Sequence, residues 1–182
     1  MLTSSDRNST MRIEDHRNHS SWIPAISILE EFIPQIDQKY FIGIKKVILF
    51  DHDYHKDKKR QAAARYVPVR GTKFADIELY LDYFNNFPDA AKKSRMFIVW
   101  KILISLVHEL YHHRIRGQNK VRRPKFEREQ KDADMWAVKV VKPIFLQTFP
   151  QDQYEKEWIN IENQFREQIE FSNQADQPDG KN

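Results

Sequence analysis

The chain has 182 residues, 40% of them hydrophobic and 13% aromatic, enough to bury one sizeable core. A mean hydropathy of −0.75 and a charged fraction of 31% point to a soluble folded protein. The absence of cysteine excludes a disulfide framework, a Cys-ligated metal and a thiol nucleophile.

Residues 1–21 are polar, contain no stretch resembling a secretory signal or an anchor, and read as a disordered tail. Residues 22–171 carry the pattern of a single domain, and residues 172–182 read as a second disordered tail. The longest apolar run, Met96 to Leu110, is interrupted by Lys101, His108 and Glu109, so no membrane span is expected. A cytoplasmic protein without membrane contact is the simplest reading.

From Trp22 to Gln38, Ile23, Ile26, Leu29, Ile33 and Ile36 follow helical spacing, with Pro34 bending or breaking the helix. Gly43 to Phe50 reads as a buried strand and Asp51 to Arg60 as a loop. Within that loop Asp51-His52-Asp53-Tyr54-His55 offers metal-binding side chains but has no companion cluster, and reads as solvated. Arg65 to Arg70 fits a short strand that Pro68 restricts to an edge. Phe74 to Phe84 alternates at Ile77, Leu79 and Leu81, as a strand with one wet face does. A long helix is expected from Pro88 to Arg116, with Gly117 just past its end. A second helix should run from Lys125 to Val141, halted by Pro143, and an amphipathic closing helix from Tyr154 to Phe171. No repeat is visible, and four glycines form no phosphate-binding loop.

His108-Glu109-Leu110-Tyr111-His112, within the long helix, spells H-E-x-x-H. Positions i and i+4 share a helix face, so both imidazoles can converge on one ion. Glu109 projects about 100° round the axis, within reach of a water activated by that ion. The pattern suits a Zn²⁺ hydrolase in which His108 and His112 bind the metal and Glu109 is the catalytic base. His113 points away from the pair and is not expected as a ligand. Tyr111 reads as a packing residue ahead of an oxyanion donor.

A catalytic zinc takes three protein ligands, and no histidine lies after His113. A carboxylate on the following helix is the economical third ligand, from Glu127, Glu129, Asp132 and Asp134. Here the chain resembles the minimal gluzincins, in particular the ImmA/IrrE-type cytosolic metallopeptidases. Their H-E-x-x-H is followed by a helix reading roughly E-x-E-A-[DN]-x-[FW]-A, and Asp132-Ala133-Asp134-Met135-Trp136-Ala137 matches the end of it. The family's ligating Glu falls on Gln130, a departure. The apolar face through Phe126, Ala133, Ala137, Val140 and Ile144 extends inward to Glu129, which is therefore the expected third ligand. Asp132 follows as the alternative, and Asp134 as a further one better suited to orient a ligand histidine.

The resemblance covers residues 75–140. It implies an α+β, zincin-like fold: a small mixed or antiparallel sheet, an active-site helix and a following ligand-bearing helix. It also implies that Phe74 to Leu81 is an edge strand pairing with an extended substrate. The expected activity is hydrolysis of a peptide bond in a specific intracellular protein, a repressor by analogy. Two rivals stand beside it. One is a catalytically inactive zincin-fold interaction module. The other is a nucleic-acid-associated protein using basic loops, at Lys56, Lys58, Lys59, Arg60 and Arg65 and at Arg114, Arg116, Lys120, Arg122, Arg123, Lys125 and Arg128. Such runs are more often solvated loops, so nucleic acid is the weaker expectation.

Overall fold

Ile44-Lys45-Lys46-Val47-Ile48-Leu49-Phe50 is rich in β-branched and large apolar residues and forms the strand around which the sheet is built. The protein is described here by a computed structural model covering residues 11–18, 23–52, 62–118, 126–157 and 159–160. Its four strands are β1 (Arg12–Asp15), β2 (Ile44–Phe50), β3 (Ala64–Pro68) and β4 (Ala75–Tyr80), in the sheet order β1-β2-β4-β3. β1 and β4 flank β2 in parallel, and β3 joins β4 antiparallel, so the sheet is mixed. A bulge between Ile44 and Lys46 turns Lys45 outward while Ile44, Val47 and Leu49 remain buried. With Ile77 and Leu79 of β4 they form the sheet's contribution to the core.

The helices are α1 (Ala25–Phe32), α2 (Asp89–Lys93), α3 (Arg95–Gln118) and α4 (Phe126–Thr148). α1 ends where Pro34 enters a 3-10 turn over Ile33–Gln35, as expected. Met96, Val99, Leu103, Leu106 and Leu110 of α3 join the same core as Ala137, Val141 and Phe145 of α4. None of the described helices is long and apolar enough to cross a membrane.

Four expectations are corrected. Residues 12–15, read as part of a disordered tail, form β1; the strand is short and charged, and only Met11 and Ile13 nearby pack on the core. Its stability comes from pairing with β2 far along the chain, which local composition does not reveal. The long helix from Pro88 is interrupted at Ser94, whose Oγ accepts from the Phe97 N–H at 3.1 Å and starts α3 afresh. α4 runs through Pro143 because that ring is exposed while Val141, Phe145 and Phe149 on either side are buried. That burial outweighs a proline penalty of about 3 kcal/mol. β4 is an interior strand; the sheet edges are β1 and β3. Pro68 closes β3, in keeping with its restriction to an edge. After α4, residues 151–157 and 159–160 are helical, and the remainder of the expected closing helix lies outside the described residues.

Candidate metal centre

Burial of Leu103, Leu106, Val107 and Leu110 fixes the rotation of α3 about its axis. His108 and His112 then share the face turned toward α4, whose own rotation is fixed by buried Ala133, Ala137 and Val141. Contacts run in opposite order along the two helices, His108 meeting Asp134 and His112 meeting Glu129, so α3 and α4 are antiparallel.

The two imidazoles point their Nε2 atoms at each other across 3.1 Å. Each ring is held from behind. His108 Nδ1 lies 2.8 Å from Asp134 Oδ1, and His112 Nδ1 lies 2.7 Å from Glu129 Oε1. A carboxylate accepts hydrogen bonds, so both Nδ1 positions donate, and the two Nε2 atoms are turned inward. The His112–Glu129 pair is the more enclosed: its side chains are 6% and 12% exposed, against 15% and 67% for His108 and Asp134. Gln130 closes the third side, with its amide oxygen 3.0 Å from His108 Nε2 and its amide nitrogen 3.1 Å from His112 Nε2.

The spacing of the imidazole pair suits a shared metal ion. Two imidazole nitrogens each about 2.0–2.1 Å from one tetrahedral zinc lie roughly 3.3 Å apart, close to the 3.1 Å between His108 and His112. A carboxylate on the opposite ring nitrogen is also how ligand histidines are commonly oriented, and each of these imidazoles has one. Among the described residues there is no group of three or more His, Cys, Asp or Glu placed to hold a metal. The third polar group at the imidazole pair is an amide.

Glu109 is nearly buried, at 9% exposure. It lines a cleft of about 300 Å³ together with His108, Gln130, Asp134 and Lys101. Residues 62–64, three alanines leading into and opening the edge strand β3, line the same cleft and leave it wide. Lys101 is partly buried; burial lowers its ammonium pKa, and the Asp134 carboxylate opposes that shift. Its Nζ lies 5.3 Å from the ring centre of Phe87 and 5.7 Å from that of Phe97.

The structure thus places His108 and Glu109 at one cleft, with the His112 imidazole adjoining His108. It sets Glu129, the expected third ligand, on the Nδ1 side of His112, where its carboxylate accepts that N–H. No hydrogen bond joins Asp132 to either imidazole among the described residues, whereas Asp134 Oδ1 lies 2.8 Å from His108 Nδ1. Tyr111 packs against Trp136, with burial raising its phenol pKa. His113 turns away from the pair and bonds the Ile42 carbonyl through Nε2 at 2.8 Å. Asp51 is buried and accepts from the Asn18 N–H, and His52 pairs with Asp82. Most of both basic clusters lies outside the described residues; of the side chains that are described, Arg114 lies 6.0 Å over Trp136. The sequence gives no signal for Lys101 beyond its place in an apolar run, and Gln130 stands where the resembled pattern has a glutamate. Comparison with protein-family models, curated proteins and solved structures finds no match to this chain.

Proposed function

We propose that the chain is a zinc-dependent metallopeptidase of gluzincin type that hydrolyses a peptide bond of an intracellular protein. The observation that carries this reading is the pair of inward-facing Nε2 atoms 3.1 Å apart, with buried Glu109 lining the same cleft as His108. A purely structural metal site has no need of a carboxylate next to its first histidine. His108, His112 and Gln130 would hold the ion, which when bound polarises a carbonyl and acidifies a water. Glu109 accepts the proton of the attacking water and returns it to the leaving amine. Asp134 and Glu129 keep each imidazole in the tautomer that presents Nε2. The edge strand β3, which begins at the alanine-lined wall of the cleft, offers backbone pairing to an extended peptide.

The test is cleavage of a proteome-derived peptide library by the zinc-loaded protein, read by mass spectrometry. Wild type should generate new termini. Glu109→Gln should lose about 10²–10⁴-fold in rate while keeping its zinc. Zinc bound at His108 and His112 with no cleavage in either form would reject the peptidase reading and leave a zincin-fold interaction module.

A further inference from the structure

We infer that Gln130, through its amide oxygen, is the third protein ligand of the ion held by His108 and His112, and that Glu129 and Asp134 are positioning residues acting only through the imidazoles. The inference rests on the metal-site reading above and departs from the carboxylate ligand of the resembled family. Among the described residues Gln130 alone comes within hydrogen-bond distance of both Nε2 atoms. Consecutive helical residues point about 100° apart, and here Glu129 meets the His112 ring at Nδ1 while Gln130 meets it at Nε2. Gln130 and Asp134, four apart on α4, share the face turned to His108, while Glu129 meets His112 from the other edge of the ring. Bringing Glu129 round to the Nε2 side would strip a nearly buried His112 N–H of its acceptor.

The chemical consequence concerns charge. Two neutral imidazoles and an amide bring no negative charge to a dication, and an amide oxygen is a weaker donor than a carboxylate. The compensating charge arrives indirectly, through the Nδ1–H bonds to Glu129 and Asp134, which make each imidazole a better donor. Such a centre holds zinc more loosely than a His-His-Glu set, so its occupancy follows the free zinc supply.

The experiment measures zinc affinity of the full chain by competition with a chromophoric chelator, together with the visible absorption of the Co²⁺-loaded protein. Circular dichroism verifies the fold of each variant. Gln130→Glu should tighten zinc roughly 10-fold or more and shift the cobalt bands, and Gln130→Ala should loosen it by a similar factor. Glu129→Gln should loosen zinc roughly 10-fold while leaving the cobalt bands in place. If Gln130→Ala kept wild-type affinity and spectrum while Glu129→Gln abolished binding, Glu129 would be the ligand and the inference would be wrong. Failure of wild type itself to bind zinc or cobalt would instead remove the metal-site reading beneath it.

Discussion

Two turns before His108 on α3, Lys101 carries a charge into the cleft beside Phe87 and Phe97, where burial disfavours the charged form. Burial is the larger influence on its ammonium and lowers its pKa from the ordinary 10.5; Asp134 counteracts only in part. The unfolded chain binds that proton more tightly, so stability rises with pH between the depressed folded value and 10.5, and the whole penalty is present below that window. Lys101→Met preserves the aliphatic stem and removes the charge. At pH 7 it should raise the melting temperature by about 2–4 °C, with a smaller gain at pH 10. A lower melting temperature at pH 7 would mean that the contacts to Phe87, Phe97 and Asp134 outweigh desolvation. The neighbouring site was only half legible at this scale. Spacing alone picks out His108, Glu109 and His112, because i and i+4 must share a face. The choice between Glu129 and Gln130 turns on side-chain torsions, which decide the ring edge a neighbour meets. Extending the apolar face did identify Glu129 as inward, at 12% side-chain exposure. Inward placed it at His112 Nδ1.

At the level of elements, the placement of the site depends on where α3 begins. Ser94 both accepts from the Phe97 N–H and donates from Oγ to Glu157 Oε2 at 2.6 Å, tying the start of α3 to the helical segment after α4. Ser94→Ala removes both bonds and should cost about 1–2 kcal/mol in urea unfolding, while Ser94→Thr should recover most of it. A silent Ser94→Ala would show that the packing of Met96 and Phe97 alone sets the start of the helix. The existence of both long helices was readable from their apolar periodicity, and their limits were not. A serine directly before Arg95 is a cap signal, but Pro88 offered an earlier start in the same pattern. Pro143 was a stop signal by local chemistry and was overridden by the buried residues on both sides of it.

Across the whole molecule, the sheet order follows from pairings that no local pattern contains. β1 depends on β2 for its ladder, extended by the His16 N–H to the Leu49 carbonyl, and Lys46 Nζ bonds Glu14 across it at 2.9 Å. β4 has the alternation of a half-exposed strand, yet lies inside the sheet because β3 returns alongside it. One junction ties this sheet to the site helix. His113, the residue after His112, reaches the Ile42 carbonyl at 2.8 Å and approaches the Tyr66 hydroxyl of β3 at 3.4 Å, while the Ala75 N–H of β4 donates to the Gly43 carbonyl. Gly43 has φ +92, and a Cβ there would lie 3.1 Å from His113 Nε2. Gly43→Ala therefore carries two separable costs: about 1–2 kcal/mol for the left-handed backbone, and a further part for displacing the imidazole. His113→Ala alone should cost about 1 kcal/mol for its lost hydrogen bond. In the double variant the backbone cost persists and the steric part disappears, so the two losses should sum to less than their separate values in a double-mutant cycle followed by urea unfolding. Full additivity would mean that the imidazole yields to the methyl group without cost, and that His113 does not pin α3, and with it the His108–His112 pair, to the sheet.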